Sequence, residues 1–337
     1  MKDFYLLTGS LLTGLLIPTS TLPEISALQA DNHQIPGKNK KGLESTARAE
    51  TIPNTLFSSE RIHSQKNYTP EKIYTPPKSF VPATITPTYR RPTSGIQLYY
   101  QRFAALKAGH IYTRVADDNW QQLKYSSRKR KLTYQDWKKL LAMEARAMTR
   151  GQGTNSLSVL VGDSLSLWFP TERLPTGKLW LNQGISGDTS TGILKRLSAF
   201  SKTKPDVIYV MAGINDLRKG VKGEVIVRNH RKMIRNLRQN HPNSLIVVQS
   251  ILPTRRPELS NPRIQRINQQ LARIAKQEGV SYLNLHIWFT DSEGKLRKDL
   301  TTDGLHLSEN GYAVWQSVLQ QIESKLTAVR AVKLARS

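Results

Sequence analysis

The sequence contains no cysteine. Disulfides, thiolate-held metals, a cysteine nucleophile and a lipid-modified N-terminal cysteine are therefore excluded. The compartment stays open, because exported bacterial proteins also lack cysteine in many cases. Acidic residues are scarce: 25 Asp and Glu face 50 Lys and Arg, for a formal charge of +25. Such a surface suits an anionic partner, whether membrane headgroup, acidic wall polymer or nucleic acid. Aromatic residues are only 7% of the chain, and the basic cluster at 124–131 has Tyr125 as its sole aromatic. A solvated loop fits that cluster better than a nucleic-acid module, so no specific nucleic-acid partner is expected. No His, Asp or Glu group has metal-ligand spacing, and neither metal nor cofactor is expected.

Long hydrophobic runs are also missing. The apolar stretch at residues 4–17 is short for a membrane span and suits the core of an export signal. Residues 1–30 are thus expected to be a signal peptide or N-terminal anchor, and the protein secreted, periplasmic or envelope-bound. Small-residue sites end at Ala27 and Ala30. Residues 31–93 are rich in Pro, Thr, Ser and Lys, with apolar residues lacking any period. No core can offset their ordering entropy, so they read as a disordered tether.

Order is expected from residue 94. Ile96, Leu98, Tyr99, Phe103 and Leu106 mark a short helix that Gly109 ends. Thr133 is a candidate N-cap for a helix over 134–149, with Trp137, Leu140, Leu141 and Ala145 on one face. Residues 94–153 read as a helical prelude. From there to 326, strands at 158–161, 178–181, 206–211, 245–250 and 281–285 alternate with helices. The helices are expected at 189–200, 224–239, 262–278 and 308–325, the second burying Val225, Val227, Ile234 and Leu237. Residues 327–337 read as a basic tail. The alternation predicts an α/β domain with a five-stranded parallel sheet covered on both faces. Sites in such sheets lie beyond the carboxyl ends of the strands.

Four polar loops fall there. They contain Gly162-Asp163-Ser164, Gly184 to Thr189, Gly213-Ile214-Asn215-Asp216, and Asp303-Gly304-Leu305-His306. Gly162 allows a tight strand exit, and Ser164 opens a helix. A serine hydroxyl is a weak nucleophile and needs a base, for which His306 is the candidate. Asp303, three residues earlier, is placed to fix the ring. Backbone N–H groups of Ser164 and Gly187 and the side-chain amide of Asn215 are the candidate oxyanion donors. Alone, each loop is equally well an ordinary cap or turn. Four at successive strand ends point to acyl transfer.

These loops resemble the SGNH, or GDSL, hydrolase family over about residues 157–325. The four residues in the family's name map to Ser164, Gly187, Asn215 and His306, with Asp303 completing the triad. The resemblance implies a flavodoxin-like three-layer α/β/α fold and metal-free ester hydrolysis through an acyl-serine. Residues 181–189 with Leu194 to Leu197 are similar to lysophospholipase/thioesterase-type members. Ile251 to Thr254 with Asn261 and Asn268 are similar to platelet-activating-factor acetylhydrolase catalytic subunits. Residues 1–153 have no counterpart in that core. A Gly-x-Ser-x-Gly elbow is absent, since Ser166 stands where the second glycine is needed, which argues against the α/β-hydrolase fold.

The expectation is a serine esterase removing a short acyl group from an envelope glycan or lipid. An O-acyltransferase with the same triad and a non-catalytic envelope polymer-binding protein are the alternatives. Leu165, Leu167, Trp168 and Phe169 belong to the core or to an acyl pocket. Arg218, Lys219, Arg255 and Arg256 meet solvent or an anionic substrate group.

Overall fold

The computed structural model describes residues 92–114 and 131–334. The expected signal segment, the expected tether over 31–93 up to residue 91, and the basic cluster at 124–131 up to residue 130 lie outside the described residues. The first helix, α1 (Gly95–Lys107), is capped by the Ser94 hydroxyl on the Gln97 amide. The second, α2 (Tyr134–Gly151), starts in a capping box in which Thr133 and Asp136 satisfy each other's backbone N–H groups.

Five strands follow: β1 (Leu157–Gly162), β2 (Leu179–Gly184), β3 (Val207–Val210), β4 (Leu245–Gln249) and β5 (Ser281–Leu283). They form one all-parallel sheet in the order β2-β1-β3-β4-β5, the flavodoxin-like arrangement. Nearly every strand residue is buried, as a sheet covered on both faces requires. Val159, Val161, Leu181, Ile208 and Val248 point to one face and join the core under the prelude helices. On that face also lie α4 (Ser190–Arg196), α6 (Gly223–Asn240) and α7 (Asn261–Gln277). Leu160, Trp180, Tyr209 and Val247 point the other way, onto α8 (Glu309–Leu334), where Trp315 and Leu319 are fully buried.

The alternation of strand and helix gave the right elements, with three adjustments. In α6 the buried face is Ile226, His230, Met233, Ile234 and Leu237. Val225 and Val227 are half-buried, because the 3.6-residue period centres on Ile226. In α1, Ile96 is exposed while Arg102 is buried. The final helix continues to Leu334, past the expected start of a tail at 327. No helix among the described residues is long and apolar enough to cross a membrane.

The prelude is fastened to the sheet by charge. Arg102 donates from Nε to Glu144 Oε1 at 2.9 Å and from Nη2 to the other carboxylate oxygen. Its Nη2 also donates to the Asn182 carbonyl at 2.8 Å, joining α1, α2 and β2. Both side chains are almost wholly buried, at 3% and 1% exposure.

Candidate active site

β1 ends in Gly162, where an added Cβ would lie 2.2 Å from Ser166 Oγ and 2.9 Å from Met211 O. Close packing against the next helix, rather than an unusual turn, requires the glycine. Asp163 caps α3 (Ser164–Leu167), accepting from the Leu165 N–H at 3.0 Å. Ser164 therefore stands as the first helical residue, and its hydroxyl carries no hydrogen bond among the described residues.

The Gly187 loop follows β2. Gly187 has φ +75°, a conformation that L side chains resist, and the space beside its Cα is open. The Asn215 loop follows β3 and opens α5 (Ile214–Arg218). Asn215 Nδ2 donates to Asp188 O at 3.1 Å and to Asp163 Oδ2 at 3.3 Å. One amide group thus touches the neighbours of both Ser164 and Gly187. Asn215 ties the loop of Ser164 to the loop of Gly187, with its Nδ2 on two protein oxygens.

The fourth loop brings Asp303 and His306 together. Asp303 Oδ2 lies 2.9 Å from His306 Nδ1, while Oδ1 accepts from the backbone N–H groups of Leu305 and His306 at 3.0 and 2.8 Å. Partial burial pushes the Asp303 carboxyl up, but the backbone N–H and ring of His306 outweigh it and hold the group well below the usual carboxylate range. Asp303 is thus an anion aimed at one ring nitrogen. No hydrogen bond joins His306 to Ser164, and bonds between a serine and its base commonly tighten only with substrate. His306 does lower the pKa of Asp163, the residue before Ser164, by charge.

Several residues that hold the site were not assigned from sequence. Arg196 is buried in α4 and donates to Asp188 Oδ2 (2.7 Å), Gln183 O (2.7 Å) and Gly162 O (2.8 Å). It clamps the ends of β1 and β2 to the Gly187 loop. Asp216 accepts from the Ser190 N–H and hydroxyl at 2.7 and 2.6 Å, tying the Asn215 loop to the start of α4. Asn268 holds both backbone groups of Ile251, and Asn261 holds those of Thr254, at 2.8 Å each. Tyr134, from the prelude, reaches Asp188 with its hydroxyl at 3.3 and 3.4 Å.

Asp163 is fully buried. Burial raises its pKa to about 6, opposed by the Leu165 N–H and reinforced by Asp188. Beside it lies a small apolar cavity whose lining includes Leu165, Ile214, Ile251, Leu252, Pro253 and Leu305. Leu165, Ile214 and Leu305 adjoin Ser164, Asn215 and His306 in sequence. Of the residues after the nucleophile, Leu165 lines this cavity, and Leu167 and Phe169 are core. No group of His, Asp and Glu among the described residues has the geometry to hold a metal.

Comparison with known proteins agrees with this arrangement. Residues 148–314 match the profile of the GDSL-like Lipase/Acylhydrolase family. A solved structure described as a platelet activating factor from Streptococcus pneumoniae is 28% identical, with a TM-score of 0.51, over 56% of this chain and 93% of that one. Subunit alpha1 of platelet-activating factor acetylhydrolase IB from Pongo abelii is 26% identical over 50% of this chain and 76% of its own. An N-acylneuraminate cytidylyltransferase of Streptococcus agalactiae is 26% identical over 48% of this chain. The match spans only 37% of that cytidylyltransferase. The chain therefore carries, over residues 148–314, a domain of the GDSL-like lipase/acylhydrolase family.

Proposed function

We propose that the protein is a serine esterase that hydrolyses short acyl esters, with Ser164, His306 and Asp303 as its triad. The observation that carries this reading is the Asp303–His306 pair. An ionised carboxylate on Nδ1 fixes the tautomer whose Nε2 is a base. His306 takes the Ser164 proton as Oγ attacks the acyl carbon. The oxyanion is met by the N–H groups of Ser164 and Gly187 and by Asn215 Nδ2, which exchanges its long contact to Asp163 for the substrate oxygen. Collapse expels the alcohol, protonated by His306. Water, deprotonated by His306, then releases the acid.

A short acyl group is proposed because the apolar cavity beside Asp163 is small and lined by buried side chains. The acyl donor is proposed to be an acetyl-type ester of an envelope glycan or lipid. The exported location rests on the apolar stretch at 4–17 and is checked by sequencing the mature N-terminus from the host cell.

The test is hydrolysis of p-nitrophenyl esters from acetyl to palmitoyl by the full chain and by Ser164→Ala. Highest turnover on acetyl, lost by about 10³-fold or more in the variant with its fold intact, is the expected result. Undiminished turnover in Ser164→Ala would remove the serine mechanism. A preference for palmitoyl would remove the short acyl pocket.

A further inference from the structure

The esterase reading assigns the acyl side of the substrate and leaves the alcohol side undescribed. Three cations stand on the loops that frame Ser164. Arg218 Nη1 lies 3.3 Å from Asn215 Oδ1, Lys219 Nζ lies 3.4 Å from Gly187 O, and Arg256 Nη2 lies 2.9 Å from Asp303 Oδ2. Each therefore touches a different residue of the site. Arg218 and Lys219 close α5, directly after Asn215. Arg256 follows β4, the sheet neighbour of β3. The walls of the apolar cavity, Ile214 on one side and Ile251 to Pro253 on the other, belong to the same two loops. An apolar floor and a cationic rim thus share one frame.

The bonding of these side chains separates them from the structural arginines nearby. Arg196 is buried with three partners, and Arg255 is held by Asp291 and by the Leu296 carbonyl. Arg218, Lys219 and Arg256 each make one side-chain hydrogen bond among the described residues and are exposed or nearly so. A guanidinium has five N–H donors and an ammonium three, so most of their donors are uncommitted. Meanwhile Asp163, Asp188 and Asp216 are buried and turned to protein partners. The exposed carboxylate in the constellation, Asp303, is already shared between His306 and Arg256.

We propose that the alcohol part of the substrate carries an anionic group, a carboxylate or a phosphate, bound by Arg218, Lys219 and Arg256 while the acyl group fills the cavity. The proposal rests on the esterase reading for the placement of the acyl group. Charge-assisted hydrogen bonds are about twice as strong as neutral ones, and the guanidinium fork matches both anions. The +25 charge of the chain would add long-range attraction for the same substrate.

The experiment compares three acetyl esters with the full chain: acetylated methyl galactoside, acetylated methyl galacturonide and acetylated galactose 1-phosphate. At low salt, kcat/KM for at least one anionic ester is expected to exceed the neutral one by about tenfold. The better of the two anions identifies the group. In the variant Arg218→Gln/Lys219→Gln/Arg256→Gln, and at about 0.5 M NaCl, that ratio should fall to near one. Because these side chains touch site residues, turnover on all three esters will also drop. A general loss leaves the ratio unchanged, so the ratio is the readout. Equal kcat/KM for the three esters, or a preference that survives the triple substitution, overturns the proposal. If no acetyl ester is hydrolysed, the esterase reading fails separately. Binding of methyl galacturonide and galactose 1-phosphate to the full chain then decides: affinity weakened about tenfold by the triple substitution sustains the anion subsite, and no binding removes it.

Discussion

Asp303 Oδ2 and His306 Nδ1 lie 2.9 Å apart, and the same aspartate accepts the backbone N–H of His306 from its other oxygen at 2.8 Å. One carboxylate thus fixes both the backbone and the ring of the residue three positions later. Replacing Asp303 with Asn keeps an acceptor for the backbone but presents an amide N–H to the ring. That favours the tautomer with Nε2 protonated, which is no base. Asp303→Asn should lower kcat by about 10²–10⁴-fold and lower Tm at neutral pH, because the ionised carboxylate is lost. Because the folded-state pKa of Asp303 is depressed, its contribution to stability is present above the unfolded carboxylate range and is lost as pH falls below about 4. A kcat within threefold of wild type would show that Asp303 does not orient the base.

Asp163 has the opposite sign. Burial raises its folded-state pKa to about 6, so the native state holds a proton that the unfolded chain has released. From this group, stability should be highest below about pH 4 and decline as pH rises to about 6, by of order 2–3 kcal/mol. Urea unfolding of wild type and Asp163→Asn across that range checks it. Asn still accepts the Leu165 N–H and cannot ionise, so its curve should lack the decline. Parallel curves would mean that Asp163 titrates normally in the folded protein.

The sheet and the four loops were legible because their causes are local. Buried parallel strands such as Leu157–Gly162 and Leu245–Gln249 are short apolar runs, and Gly162 and Gly187 mark places that exclude a side chain or need positive φ. The Asp303–His306 contact was legible for the same reason, being three residues apart. What holds the loops to one another was not. Arg196 meets Gly162 across 34 positions, and Tyr134 meets Asp188 across 54. Such pairings are set by how α2 and α4 pack on the sheet, which periodicity does not encode. Arg102 reads as a solvated charge on α1, and only its partner Glu144, 42 residues on, makes its burial tolerable.

Tyr134 lies outside the family match yet touches the loop that supplies Gly187. Its hydroxyl contacts Asp188, whose carbonyl in turn accepts from Asn215. Tyr134→Phe removes the hydroxyl and keeps the ring. Since Arg196 still holds Asp188, the loss should be modest, about 0.5–1.5 kcal/mol in transition-state stabilisation. That appears as a kcat reduced about two- to tenfold with KM unchanged, because a looser oxyanion loop weakens binding only of the developing charge. A change confined to KM would place Tyr134 in substrate binding, and no change in either would make the contact incidental.

The Arg102–Glu144 pair tests whether the prelude is a fixed part of the fold. Both groups are buried, so removing one leaves an uncompensated charge away from water. Arg102→Met or Glu144→Leu alone should cost about 3–5 kcal/mol, read by urea unfolding. The double variant removes both charges, and apolar side chains then occupy a site bordered by buried Leu98, Leu140 and Leu141. It should recover most of the loss, apart from the hydrogen bond to the Asn182 carbonyl, worth about 1 kcal/mol. Two outcomes separate the readings. Recovery in the double variant identifies the pair as a matched buried unit that seats α1 and α2 on β2. Loss in Arg102→Met and in the double variant, with little loss in Glu144→Leu, would mean that the arginine's bond to Asn182, and not its pairing with Glu144, anchors the prelude to the strand that leads into the Gly187 loop.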